Sequence, residues 1–167
     1  MKNLIALFSL FASAAAFAEP TVLRANELGW EVHFDAPATS KVVETSTTDA
    51  YHYSGNAGKF KLSLDIEQPQ CQGGVSRKDQ FDCFFGQMDK IPGLVTQSIK
   101  FKKAPEAVLI SYLAYDQIDG ASTKVHHVRI LFAGKGKWAD LHAAVIKPES
   151  ADSAMLLGMN EGFSFSN

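Results

Sequence analysis

The sequence lacks the motifs of the common catalytic and nucleotide-binding sites. It has no His-Glu-x-x-His metal motif, no Gly-x-Ser-x-Gly nucleophile turn and no glycine loop for a phosphate or a dinucleotide. It also lacks a charge excess, because 16 basic and 18 acidic residues leave a formal net charge of −2. Such a balance, without a basic run, does not favour nucleic acid or a membrane surface as a partner. We therefore predict no cofactor, no metal site and no nucleic-acid partner.

A long hydrophobic run is also missing, and the strongest apolar stretch lies at the N-terminus. It has a basic Lys2, an apolar segment over residues 4–11 and the small-x-small sequence Ala16-Phe17-Ala18. These are the parts of a secretory signal peptide, whereas a membrane-spanning helix needs about 20 apolar residues. We predict a signal peptide over residues 1–18, cleavage near Ala18, no stable membrane anchor and a periplasmic or secreted protein. Residues 19–167 are long enough for one globular domain with its own core.

Cysteine is scarce, with only Cys71 and Cys83 in the chain. An even number of cysteines in an exported protein favours a disulfide bond. A metal or redox pair is the alternative, but the spacing is not Cys-x-x-Cys and the segment between them contains no histidine. We predict a structural Cys71–Cys83 bridge, which removes the obvious nucleophilic thiols.

The segments before the meander give a mixed pattern of strands and one helix. Alternation of apolar and polar residues predicts strands over residues 30–35 and 59–67, and β-branched residues favour another over 41–48. The glycine-containing stretch 54–58 is typical of a loop, and 94–101 is predicted as a short strand. Ser76, with Asp79 three residues later, predicts the start of a helix. The apolar face of this helix should pack into the core and consists of Phe81, Phe84, Phe85 and Met88.

The stretch 108–147 is predicted to be a three-stranded antiparallel meander. Asp119-Gly120 and Lys135-Gly136 are suitable two-residue hairpin turns, because glycine adopts the positive φ that they require. Centring the hairpins on these turns sets the register. Tyr112 should lie opposite His127, and Arg129 opposite both Ile110 and His142. One face is then almost wholly apolar and should form core, with members Leu109, Leu113, Tyr115, Val128, Ile130, Phe132, Leu141, Ala143 and Val145.

The opposite face of the meander contains the best candidate site. Its candidate residues are Tyr112, His127, Arg129, Asp140 and His142. A histidine beside a carboxylate can act as a general base, and an arginine can hold an anion. A cross-strand Arg129–Asp140 ion pair with a purely structural role is the alternative, since a base also needs a nucleophile or an electrophile nearby. The mixed character of this face suggests that a helix or the N-terminal segment partly covers it.

The remaining segments complete the predicted fold class. Ser150 can start a second helix, which we expect to end at Gly162, and the tail over residues 163–165 alternates like a strand. Together these elements predict a single-domain α+β protein. It should consist of an antiparallel sheet, with the meander in its C-terminal part and helices packed on it.

The order of these elements resembles a known architecture. An aromatic strand ending at a proline (residues 29–37) is followed by a mid-chain helix, a meander containing Trp138, and a C-terminal helix before Phe163-Ser164-Phe165. Over residues 30–165 this resembles the PsbP/Mog1-like α/β/α sandwiches, which include small exported bacterial proteins. The resemblance implies a central antiparallel sheet with helices on both sides, and a binding or assembly role. The Cys71–Cys83 loop has no counterpart in that pattern.

These features favour a non-catalytic binding module in the cell envelope. A protein partner fits best, as for an envelope accessory or a toxin-immunity protein, because no cofactor motif is present. Two alternatives stay open at the level of sequence. One is a small periplasmic hydrolase that uses the histidine, aspartate and arginine cluster. The other is a carrier of an apolar ligand held between the sheet and the helix over residues 81–88.

Overall fold

The computed structural model describes residues 18–167, so residues 1–17 of the predicted signal peptide lie outside the described part of the chain. The fold is mixed α+β with antiparallel pairing throughout, which confirms the predicted fold class. The strands are β1 Glu19–Ala25, β2 Trp30–Ala36, β3 Ser40–Ser46, β4 Tyr51–Ala57, β5 Phe60–Glu67, β6 Lys100–Lys103, β7 Val108–Ile118, β8 Ala121–Gly134, β9 Lys137–Ile146 and β10 Ser164–Ser166. The helices are α1 Arg77–Phe85 and α2 Ser150–Gly158, with 3-10 turns at Asn26–Leu28, Met88–Lys90 and Thr96–Ser98.

The meander is the centre of a seven-stranded sheet with the order β3-β4-β5-β9-β8-β7-β6. Both predicted turns are present, since Asp119, Gly120, Lys135 and Gly136 all adopt positive φ. Every predicted cross-strand pair of the meander is confirmed, including Tyr112 opposite His127 and Arg129 opposite His142. The turn residues therefore determine which side chains reach each face of this sheet.

The inner face of the seven-stranded sheet carries the main core. It packs against α2 and against a second sheet of three strands in the order β1-β2-β10. Val32 of β2, Phe132 of β8 and Leu156 of α2 are fully buried there. The second sheet was not predicted. Its strands β1 and β2 are consecutive in the chain, but β10 joins them from the opposite end, where Phe165 pairs with Val32.

A smaller apolar cluster lies on the outer face of the same sheet. Met88, Ile110 and Leu131 are buried in it, and Phe81 and Phe84 of α1 pack against them. The two helices therefore lie on opposite faces of the large sheet, as the predicted sandwich requires. Since α1 covers only the β7–β8 side of the outer face, the remainder of this face stays accessible.

Helix α1 is shorter than its apolar pattern predicts. Ser76 and Asp79 form the predicted capping box, but the helix ends at Phe85, and the Gly86 N–H donates to the Asp82 carbonyl. Met88 is buried, but it lies in the 3-10 turn that follows the helix. Phe85, by contrast, is 52% exposed. The predicted core face is therefore correct for three of its four members and wrong for Phe85.

Four further predictions about local structure are wrong in detail. The stretch 54–58 is mostly strand, since β4 continues to Ala57 and the turn begins only at Gly58. Gly55 of β4 lies directly against Thr39, which leaves no room for a side chain at this position. The stretch 94–101 contains a 3-10 turn, and only its last residues belong to β6. Helix α2 ends at Gly158 instead of Gly162. Tyr115, predicted as core, is 47% exposed, because β7 extends beyond the covered part of the inner face.

Candidate functional site

A groove on the outer face of the seven-stranded sheet contains all five candidate residues. Its floor is formed by β7, β8 and β9, and one wall is formed by α1 and the chain that follows it. The groove has a volume of about 740 Å³. We call it the outer groove. Its lining residues are Asp65, Glu67, Gln70, Gln80, Cys83, Phe84, Gln87, Lys90, Ile91, Pro92, Tyr112, His127, Arg129, Leu131, Trp138, Asp140 and His142.

An ion pair between Arg129 and Asp140 lies in the floor of the outer groove. Arg129 Nη1 donates to Asp140 Oδ2, and the guanidinium lies 5.0 Å from the centre of the Phe84 ring. Both side chains are mostly enclosed, with 24% and 23% of their surfaces exposed. Burial raises the pKa of Asp140 despite the nearby arginine. Burial acts to lower the pKa of Arg129, but Asp140 and Tyr112 together raise it. The cross-strand ion pair between Arg129 and Asp140, which the sequence offered as the structural alternative to a catalytic site, is therefore present.

Beside this pair, two histidines form a hydrogen-bonded stack. His127 Nδ1 and His142 Nε2 are 3.1 Å apart, so one of the two rings donates its proton to the other. The rings are stacked with centroids 5.3 Å apart, and Tyr112 stacks on the other side of His127 at 4.9 Å. Asp116 Oδ2 lies 3.4 Å from His127 Nε2. Asp116, His127 and His142 therefore form a row of polar side chains that crosses β7, β8 and β9.

Burial keeps this histidine pair neutral. It lowers the pKa of His127 and lowers the pKa of His142 well below its usual value, and the charge of Arg129 acts in the same direction on both. Asp116 opposes the shift at His127. A neutral imidazole can donate through one nitrogen and accept through the other, so the pair can complete a hydrogen-bond network with a bound ligand.

Several buried polar atoms at the groove have no hydrogen-bond partner within residues 18–167. Trp138 and Gln80 are each only 5% exposed, and the Gln80 Nε2 group donates to the carbonyl of Ala139, the residue after Trp138. The indole N–H of Trp138 and the carbonyl oxygen of Gln80, two residues that line the groove, have no such partner. The unpartnered atoms at the groove are Trp138 Nε1, Gln80 Oε1, His127 Nε2, Arg129 Nε and Asp140 Oδ1. Since buried polar groups are normally paired, they are available to a polar ligand.

A second cavity continues from the outer groove towards β4. It has a volume of about 340 Å³ and shares His127 and His142 with the groove. Its lining residues are Lys41, Ser54, Gly55, Asn56, Lys61, Leu62, Ser63, Asp116, Ile118, Val125, His127, His142, Ala144 and Ile146. Ser63 lies opposite His142 in the sheet register, but no hydrogen bond joins the two side chains.

The outer groove contains few nucleophilic groups among the residues that the structure describes. Among its described lining residues, the only hydroxyl belongs to Tyr112, whose pKa is raised by burial. A raised pKa makes a phenol a poorer nucleophile at neutral pH. The thiol of Cys83 is held in the predicted bridge to Cys71, with the two Cα atoms 5.8 Å apart. What the groove offers is therefore an array of hydrogen-bond donors and acceptors beside aromatic surfaces.

The sequence predicted the residues that form the floor of the groove, but not most of those that form its wall. The predicted Tyr112, His127, Arg129, Asp140 and His142 are all brought together. Asp116 was missed, although strand alternation places it on the same face as Tyr112. Gln80 and Phe84 come from α1, and no local pattern indicates which strand that helix covers. His126, next to His127, faces the opposite side and hydrogen-bonds Ser111 and Ser153.

Within residues 18–167, no three His, Cys, Asp or Glu side chains lie close enough to form a metal site. In that same part of the chain, no helix has the length and apolar character needed to span a bilayer. No protein-family model matches the chain, and no curated protein matches it significantly, so the resemblance to the PsbP/Mog1-like proteins stays a prediction.

Proposed function

We propose that the protein is an exported, non-catalytic binding module that holds a segment of a protein partner in its outer groove. The observation that carries the proposal is the unpartnered donor and acceptor of Trp138 and Gln80 in the groove. An extended peptide presents the N–H and the C=O of one residue on the same side of its chain, so it can offer an acceptor to the indole and a donor to the Gln80 carbonyl. Tyr112 and Phe84 supply the aromatic surface that is typical of binding sites for polypeptides.

The chemistry of the groove favours this partner over an apolar ligand. Charged or amide side chains make up a large part of its lining, including Arg129, Asp140 and Gln80. A hydrocarbon would leave the unpartnered atoms of these groups, Gln80 Oε1, Arg129 Nε and Asp140 Oδ1, without hydrogen bonds, at a cost of about 1–3 kcal/mol for each. A polypeptide can replace the hydrogen bonds that these groups otherwise make with water.

Peptide binding is tested with random dodecapeptides displayed on phage and selected against residues 19–167. We expect peptides to be enriched, and we expect Trp138→Phe to weaken their binding about tenfold, because phenylalanine keeps an aromatic ring but lacks the N–H donor. Fluorescence anisotropy with labelled peptides measures the affinities.

The matched control for peptide binding is Trp30→Phe. The Trp30 indole nitrogen is also buried without a partner, but it lies in the main core beside Phe132, away from the groove. It should leave peptide affinity unchanged. The proposal is wrong if no peptide is enriched, or if the two variants weaken binding equally. An apolar molecule retained in native mass spectrometry of the freshly purified protein would favour the carrier alternative.

The export part of the proposal has its own test. When the full chain is expressed in a bacterium, we expect the protein in the periplasmic fraction with Glu19 as its first residue, because Ala16 and Ala18 fit a signal-peptidase site. Mass spectrometry of the intact protein measures the cleavage point. Replacing Ala18 with the bulky, charged Arg should block cleavage, and an uncleaved wild-type protein in the cytoplasm would contradict the proposal.

A further inference from the structure

The second cavity places two lysines at one end of the outer groove. Lys41 of β3 and Lys61 of β5 both line it, together with the hydroxyls of Ser54 and Ser63 and the amide of Asn56. Within residues 18–167, neither lysine forms an ion pair. The cavity therefore combines two ammonium groups without ion-pair partners and several small hydrogen-bonding groups with one carboxylate, that of Asp116, which lies 3.4 Å from His127 Nε2. The two ammonium groups outnumber this carboxylate, so the cavity suits an anion.

A β-bulge turns Lys41 towards this cavity. The pairing of β3 with β4 shifts by one residue between Ser40 and Val43, and Lys41 within the shift has a φ of 50°. A non-glycine residue with positive φ is under backbone strain, and bulges commonly redirect a side chain. Lys41 therefore adopts a strained backbone conformation and lines the same cavity as Lys61.

Charge changes sign along β5 from the second cavity to the outer groove. The outward residues of this strand are, in order, Lys61, Ser63, Asp65 and Glu67. The first two line the second cavity and the last two line the outer groove. Among the outward residues of β5 itself, positive charge is therefore confined to the end at the second cavity, whereas the outer groove also contains Lys90 and the paired Arg129.

The register gives the length of a ligand that lies along β5. Trp138 lies opposite Glu67, six residues along β5 from Lys61. At about 3.3 Å per residue, the two ends are roughly 20 Å apart, which is the length of about six residues of extended chain. Between them lies His127, which is only 7% exposed, lines both cavities and has the Asp116 carboxylate 3.4 Å from its Nε2 atom.

We propose that the second cavity binds a carboxylate of the partner segment, so that the groove and the cavity together hold about six extended residues ending in an acidic group. This inference rests on the proposed peptide-binding function, and it adds the orientation and the charge of the ligand. The carboxylate belongs either to the C-terminus of the segment or to an Asp or Glu side chain.

The test uses three hexapeptides as probes. The first is acetyl-(Ser-Ala)₃ with a free C-terminal carboxylate, the second is the same peptide as its C-terminal amide, and the third is acetyl-Ser-Ala-Ser-Ala-Ser-Glu as an amide. Binding to ¹⁵N-labelled residues 19–167 is followed by NMR. We expect the free carboxylate to shift the amide signals around Asn56 and Lys61, and to bind about five- to tenfold more tightly than the neutral amide.

The third peptide identifies the source of the carboxylate. Binding as tight as that of the first peptide indicates that a side chain suffices, whereas binding as weak as that of the amide indicates a C-terminus. Lys61→Gln should abolish the advantage of the free carboxylate and leave the affinity for the neutral amide unchanged. Lys124→Gln is the matched control, since Lys124 is an exposed lysine of the same sheet and lines neither cavity.

The outcomes separate this inference from the proposed function. If phage-selected peptides depend on Trp138 but are indifferent to amidation and to Lys61, the groove binds peptides and the carboxylate site is wrong. If Lys41→Gln leaves binding unchanged but causes self-association in sedimentation, Lys41 instead protects the edge strand β3 from pairing, and the inference fails. Thermal unfolding of each variant verifies that it is folded.

Discussion

Replacement of Arg129 by Met is expected to destabilise the protein by about 3–5 kcal/mol. The substitution removes the guanidinium that pairs with Asp140. The carboxylate of Asp140 is mostly enclosed in the sheet face, and one of its oxygens already has no partner. An unpaired carboxylate in such a place loses its hydration without any compensation. Urea denaturation followed by circular dichroism measures the change in the free energy of unfolding.

Two comparisons identify the origin of that loss. The double variant Arg129→Met with Asp140→Leu should recover most of the stability, because it removes both charges and keeps apolar volume beside Phe84. Arg24→Met breaks the ion pair with Glu31, whose side chains are 58% and 35% exposed, and should cost less than about 1 kcal/mol. A loss for Arg129→Met no larger than that for Arg24→Met would contradict the importance of the buried pair.

Acid is expected to destabilise the protein through its buried histidines. Burial lowers the pKa of His127 and His142 in the folded state, so below a pH of about 6.5 the unfolded chain binds protons that the folded chain does not. Stability is therefore complete above that pH and falls as the pH decreases towards the folded-state pKa values. Each histidine contributes a slope of at most about 1.4 kcal/mol per pH unit, so the pair should cost at most about 3 kcal/mol between pH 7 and pH 5.5.

The charged groups around His127 and His142 bear on the direction of this pH dependence. Arg129 opposes protonation of both rings, and Asp116 favours it only at His127. Urea midpoints between pH 5 and pH 8 measure the slope, and the double variant His127→Gln with His142→Asn should flatten it. His33→Gln should keep it, because His33 is exposed on the small sheet. The same slope in the double variant would mean that other groups, such as the buried His126, dominate the acid response.

The site residues that could be predicted from the sequence are those that lie on the meander. Two glycine-containing turns set the register, and strand alternation then assigns Tyr112, His127 and Arg129 to one face, as the structure confirms. The distances between their functional groups were not predictable, because they depend on side-chain rotamers and on sheet twist. The diagonal approach of His127 to His142 illustrates this point, since the two residues are not direct cross-strand partners.

The remainder of the site depends on contacts between distant segments. β5 contributes Asp65 and Glu67 only because it pairs with β9, and α1 contributes Gln80 only because it lies over that part of the sheet. Neither contact leaves a local pattern in the sequence. Both follow from the burial of apolar surface, which has no direction and therefore does not specify which segments meet.

By itself, the sequence determined the α+β class, the antiparallel meander with its two faces, the helix start at Ser76 and the Cys71–Cys83 bridge. Each of these depends on short-range rules of turn conformation, strand alternation, capping and cysteine pairing. Only the tertiary structure decided that a three-stranded sheet covers the inner face and that α1 leaves a groove on the outer face. The reason is that these arrangements come from the packing of surfaces far apart in the chain, and many pairings of such surfaces are compatible with the same local pattern.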